Sequence, residues 1–234
     1  MTPVDQTLEA GLAELRGSDP DIDALFGSRG DAIARLLDTY LAEIERFNPA
    51  YSLVGARDRQ ELVVKHILDS LAPLGIMRRL PRRFPPPHTI ADAGSGAGLP
   101  GIPLAMCLPE TRVILIERMG RRAGFLRNTL AVLGLSNVTV EETEMEKAAP
   151  GRCHIVTFRA FRPLEPRLLK GLFRLCADGG LLAAYKGRRE KIEEEMQSAG
   201  KAAGPWEALP CPVPFLAEER HLLTIKLPGS LSPT

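Results

Sequence analysis

The segment that most constrains this chain is Thr89-Ile90-Ala91-Asp92-Ala93, a short strand signal that runs directly into glycines at alternate positions, Gly94, Gly96 and Gly98. Glycine has no Cβ and adopts positive φ freely, so such a loop lets backbone N–H groups approach a ligand closely. In open α/β sheets, ligands bind just beyond the carboxyl ends of the strands. The residues that follow keep this rhythm. Arg112–Glu117 is a second strand, almost wholly apolar, as a strand covered on both faces must be. Arg121 to Leu133 forms a helix that Gly134 ends. Val138–Val140, His154–Phe158 and Leu181–Tyr185 are further strands, and helices span Leu164 to Cys176 and Arg188 to Ala199. Asp178-Gly179-Gly180 reads as a turn, and Pro210 to Leu216 leads into a terminal strand, His221–Lys226. The alternation predicts an α/β fold with a mostly parallel sheet, helices on both faces and an antiparallel last strand.

The first 80 residues differ. Ile33, Leu36, Leu37, Tyr40, Leu41 and Ile44 recur at helical spacing, and Leu62, Val63, His66, Ile67 and Leu71 repeat the pattern beyond a predicted turn at Asn48-Pro49. Pro81 and Pro85-Pro86-Pro87 read as a stiff linker. The expected organisation is a helical extension over residues 1–80, a linker over 81–88 and a ligand-binding domain over 89–228. No apolar run approaches the roughly 20 residues of a membrane helix, and Met1-Thr2-Pro3-Val4-Asp5 carries no leader-like basic segment. A cytoplasmic monomer is expected. Cys107, Cys153, Cys176 and Cys211 are too scattered for a zinc site and read as buried thiols. Residues 1–50 hold ten acidic and four basic residues, a balance of −6, so the rest of the chain carries +7. A positive catalytic half suits a polyanionic partner.

Glu117 ends the second strand, at the distance expected of an acid that binds ribose hydroxyls. Gly96-x-Gly98-x-x-Gly101 also satisfies a dinucleotide fingerprint. Three features favour S-adenosylmethionine. Asp92 precedes the glycines, where an acid can orient the loop or the cofactor's amino end. Leu99-Pro100-Gly101-Ile102-Pro103 gives a proline-punctuated helix start. The remaining length holds no second mononucleotide half.

Several longer segments carry a resemblance. They are Asn48-Pro49-Ala50-Tyr51-Ser52-Leu53, Lys65-His66-Ile67-Leu68-Asp69-Ser70, Asp92 through Pro103, Arg121-Arg122-Ala123-Gly124-Phe125-Leu126-Arg127, Arg159-Ala160-Phe161, Lys186-Gly187 and Glu219-Arg220-His221-Leu222. In this order they resemble the bacterial small-subunit ribosomal RNA guanine-N7 methyltransferases, the glucose-inhibited division protein B (RsmG) family. The resemblance implies a class I, Rossmann-like methyltransferase fold behind an N-terminal helical extension. The implied cofactor is S-adenosyl-L-methionine, with S-adenosyl-L-homocysteine as product, and the implied substrate is a guanine in the decoding-site loop of 16S rRNA, free or in the small ribosomal subunit. Cofactor contacts carry over to Gly94, Leu99, Met145, Glu146 and Arg159, joining Asp92, Gly96 and Glu117. The chain departs from the family pattern at Ser52, Val54 and Glu144, and it has Glu117 where Asp is common.

Guanine N7 has a lone pair and no proton, so its methylation needs no general base. No Ser-His-Asp or paired-carboxylate constellation is evident. Phe158-Arg159-Ala160-Phe161-Arg162-Pro163 lacks the Asp/Asn-Pro-Pro-aromatic motif of amine methylases, and Cys211 lies too late in the chain for a pyrimidine-carbon nucleophile. Candidate RNA contacts are Arg121, Arg122, Arg159, Lys186 and Arg188, with Phe161 as a stacking residue. The competing readings are a small-molecule methyltransferase and a cofactor-binding RNA-binding protein of the same fold.

Overall fold

The computed structural model describes residues 5–159 and 163–227. Among them, one sheet runs in the order β3-β2-β1-β4-β5-β7-β6. Its strands are β1 (Thr89–Ala93), β2 (Arg112–Glu117), β3 (Val138–Glu142), β4 (Cys153–Arg159), β5 (Cys176–Lys186), β6 (Trp206–Pro210) and β7 (His221–Lys226). Strands β1 to β5 pair in parallel, and β7 runs antiparallel to both β5 and β6. Strand order reverses between β1 and β4, which opens a crevice at their carboxyl ends.

Alternate residues of each strand face opposite cores. Ile90 and Leu115 pack with α7 (Gly101–Cys107) and α8 (Gly120–Leu133), while Ala91, Ala93 and Ile116 pack with α9 (Pro166–Leu175) and α10 (Arg189–Ala199). The N-terminal helices are α1 (Gln6–Ser18), α2 (Pro20–Phe26), α3 (Gly30–Tyr51), α4 (Arg59–Leu62), α5 (Asp69–Leu71) and α6 (Leu74–Arg79). A wide π-type turn, Val63–Leu68, joins α4 to α5. These helices share the α7–α8 core, with Ile33, Leu37, Tyr40, Leu41 and Ile44 of α3 all fully buried.

Polar bonds fix this docking. The Tyr40 hydroxyl donates to the Ala97 carbonyl at 2.6 Å, inside the core. Asn128 of α8 donates to Glu43 of α3 at 2.9 Å. Arg59 gathers Asp5, Asp38 and Glu45.

Three local features differ from the sequence reading. The predicted turn at Asn48-Pro49 lies inside α3, and the chain turns later, at Ser52, whose φ is 48°. Proline removes only one donor so near a helix end, and Asn48 Oδ1 caps the exit by accepting the N–H groups of Leu53 and Val54. The Asp178-Gly179-Gly180 turn is absorbed into β5 as an irregularity, with Gly179 at φ 72°. The segment before Pro210 is a strand, β6, on the sheet edge, where its terminal proline breaks no interior ladder.

Replacing Tyr40 with Phe leaves the Ala97 carbonyl buried without its donor. We expect Tyr40→Phe to lower unfolding free energy by about 1–3 kcal/mol in urea denaturation. An unchanged midpoint and slope would show that the bond contributes nothing.

Candidate cofactor and substrate site

The glycine loop is held from below by the neighbouring strand. Gly94 and Ser95 both donate to the Ile116 carbonyl, at 2.9 and 3.1 Å. Glu117, at the end of β2, receives the Gly96 N–H at 2.9 Å and the Met119 N–H at 2.8 Å, one on each carboxylate oxygen. The predicted ribose acid therefore also sets the shape of the loop. Gly98 sits at φ 92°, and a Cβ there would stand 2.5 Å from Ile102. The loop depends on the absence of a side chain at that position.

Asp92 lies beneath the loop, 1% exposed. Its Oδ2 accepts the Gly101 N–H at 2.9 Å, while Oδ1 has no partner. Burial pushes its pKa to about 7. The Arg122 Nε is likewise buried without a partner, although its Nη2 reaches the Ser52 carbonyl at 3.3 Å. Orphaned polar atoms beside a backbone cradle indicate a ligand with complementary groups.

Above the ends of β1, β2 and β3 opens a cleft of about 790 Å³, within the range of small-molecule sites. It is lined by Gly94, Glu117, Met119, Met145, Glu146 and Arg167, with Arg122 at its margin. Four of the residues singled out as cofactor contacts thus meet there: Gly94, Glu117, Met145 and Glu146. Gly96 and Asp92 act from the loop and beneath it, and the Leu99 side chain packs into the core. Met119 and Arg167 were not singled out from the sequence. Met119 follows Glu117 by two residues and was within reach of that signal; Arg167 comes from the start of α9.

Arg159 belongs to a second cleft, over the ends of β4 and β5 and the start of β7. Its guanidinium donates to Asp69 at 3.0 Å and to His66 Nδ1 at 3.1 Å. Lys186 joins it there, paired with Glu195. Arg121 is exposed on α8 and Arg188 is exposed just before α10. Phe161 lies outside the described residues. Burial pushes the thiols of Cys153 and Cys211 up to about 11, and those of Cys107 and Cys176 to about 12, so none is a ready thiolate near neutrality. Among the described residues no group of His, Cys, Asp and Glu is arranged to hold a metal, and no helix is long and apolar enough to cross a membrane.

The sheet order, the glycine loop and the strand-end acid define a class I methyltransferase fold. Solved structures share it. A predicted O-methyltransferase from Agrobacterium tumefaciens superposes with a TM-score of 0.52 over 70% of this chain and 80% of its own, at 24% identity. The tRNA (m1A58) methyltransferase from Aquifex aeolicus gives 0.53 over 70% and 69%, at 13% identity. A family model, GidB, rRNA small subunit methyltransferase G, matches residues 33–223, so the chain belongs to that family. Relatives named ribosomal RNA small subunit methyltransferase G include one from Treponema denticola, 37% identical over 84% of this chain and 87% of its own length. Another, from Stenotrophomonas maltophilia, is 39% identical over 95% and 94%.

The raised pKa of Asp92 predicts a pH dependence. Its carboxyl keeps a proton up to about pH 7 in the fold but loses it near 3.8 when unfolded. The folded state therefore binds more protons in that window, and this group's contribution to stability falls as pH rises through it. Urea denaturation at pH 5 and pH 8 should show wild type losing more stability than Asp92→Asn. Equal losses would place the Asp92 pKa near its ordinary value.

Proposed function

We propose that this chain transfers the methyl group of S-adenosyl-L-methionine to N7 of a guanine in the decoding-site loop of 16S rRNA, releasing S-adenosyl-L-homocysteine. It acts as a cytoplasmic monomer on the RNA or the small ribosomal subunit. The observation that carries this reading is the family match, which spans the glycine loop and the helical extension from Ile33 onward, including the Tyr40 that bonds to the loop.

The residues fit the cofactor. Glu117 faces the cleft from the position of a ribose-binding acid, and Gly94 and Gly96 leave room for close backbone approach. The partnerless Asp92 Oδ1 suits a cationic amino group. Met145 and Glu146, carried over as cofactor contacts, line the same cleft. When bound, S-adenosyl-L-methionine supplies an electrophilic methyl on a sulfonium. Everything else falls to positioning. N7 has no proton to remove, so the chain needs no base, and its role is to align nucleophile, methyl and sulfur. Such alignment is worth up to ~7–11 kcal/mol of barrier. The loop is suited to this, since Ile116, Glu117 and Tyr40 each bond to its backbone.

Tritiated-methyl transfer to small subunits that lack the modification tests the reading, with labelled RNA mapped by cleavage at N7-methylguanine. One labelled guanine is expected, lost in Gly94→Asp, since Gly94 lines the cleft at φ 73°, a conformation in which an L side chain is strained. Cofactor binding without label in RNA would overturn the substrate assignment.

A further inference from the structure

The second cleft differs in construction from the first. Its volume is about 250 Å³. At its floor the Asp69 carboxylate, only 8% exposed, binds two guanidiniums, each at 3.0 Å: Arg159 on Oδ2 and Arg220 on Oδ1. The three residues come from the helical extension, the end of β4 and the approach to β7. The π-type turn beside Asp69 is pinned in place. Ser70 donates to the His66 carbonyl at 2.6 Å, and the Tyr185 hydroxyl donates to the Ser70 carbonyl at 2.9 Å. Such turns are frequent at functional sites.

The charges make a consistent set. Lys65 and Lys186 add two ammonium groups to the wall, each held by one carboxylate, Glu61 and Glu195. His66 accepts from Arg159 at Nδ1, and burial and the Arg159 charge both hold its pKa below the usual range, so it is neutral near pH 7. Four cations thus face the Asp69 and Glu195 carboxylates and a Glu61 carboxylate that Lys65 shares with Arg57, so the set is net positive. Arg220 uses Nε on Asp69 and Nη1 on the Glu219 carbonyl, and among the described residues no bond involves its Nη2.

We propose that this cleft binds a phosphodiester of the RNA strand that carries the target guanine, with Arg220 and Lys65 as the contacting groups and Asp69 as the positioning residue. The inference rests on the rRNA reading given above. Two points of chemistry favour a phosphate over a base. Guanine's Watson–Crick edge presents donors, and both Asp69 oxygens already accept from arginines. A bidentate arginine on guanine's O6 and N7 would cover the atom to be methylated. The cofactor carries no phosphate, and its one anionic group is the methionine carboxylate, whose contact with an arginine here would show as weaker S-adenosylhomocysteine binding in the variant. The excess of positive charge suits the anionic phosphodiester, and the planar guanidinium suits its oxygens.

The test is binding of S-adenosylhomocysteine-loaded protein to unmodified small ribosomal subunits between 50 and 200 mM salt. Arg220→Gln should weaken binding about tenfold, as expected for one charged hydrogen bond. It should also reduce the slope of log affinity against log salt by about one. Affinity for S-adenosylhomocysteine, measured by calorimetry, should not change. Lys65→Gln, on the cleft wall and held by Glu61 alone among carboxylates, should act in the same direction and serves if Arg220→Gln does not fold. Equal affinity and equal slope in wild type and a folded variant would overturn the phosphodiester site while leaving the rRNA reading intact. Wild-type protein that binds S-adenosylhomocysteine but no subunits would overturn both.

Discussion

The apex of the glycine loop is gripped from two directions. Glu117 takes the Gly96 N–H from the sheet side, and Tyr40 donates to the next carbonyl, that of Ala97, from the helical extension. Neither grip is available to the loop alone. A backbone with three glycines at positive φ has many accessible conformations, and ordering it is unfavourable unless neighbours impose one. The fold supplies those neighbours from opposite ends of the sequence order: α3 is formed before the loop and β2 after it. The helical extension therefore helps to hold the glycine loop, although none of its residues lines the cleft beside that loop.

The same arrangement separates two tasks on one crevice. Strands β1 to β3 present the cofactor cleft, and β4, β5 and β7 present the cationic one. Arg159 stands at the carboxyl end of β4, beside the point where strand order reverses, close enough to Asp92 for its charge to favour the ionised carboxylate. Arg159 thus links the cationic cleft to the carboxyl beneath the glycine loop, and the two clefts share no lining residue.

Much of this was legible in the sequence, for identifiable reasons. β1, β2 and β7 were read with the boundaries they have, because buried strands bounded by glycine, proline or charged residues leave sharp edges. Glu117 was legible because its spacing from the glycines reflects one strand-to-strand step. The Asn48-Pro49 turn was misplaced because Asn48 acts from within the helix, its side chain holding the backbone of Leu53 and Val54 beyond the exit at Ser52. β6 was missed because a short edge strand with Trp206 exposed has little apolar alternation to read. The partnership of Asp69 with Arg159 and Arg220 spans 90 and 151 residues, and no local pattern encodes it. Both motifs that contain its outer members stood out as segments, but only the fold places them on one carboxylate.

That long span bears on when the molecule becomes competent. Asp69, Arg159 and Arg220 meet only after the carboxyl-terminal hairpin has added to the β5 edge. Loop closure over such distances is among the slower and later events in folding. The contacts that hold the glycine loop come from β1, β2 and α3, whereas the cationic floor needs Arg220 from the approach to β7. One half of the crevice is thus drawn from neighbouring stretches of sequence, and the cationic half joins the helical extension to the carboxyl-terminal hairpin.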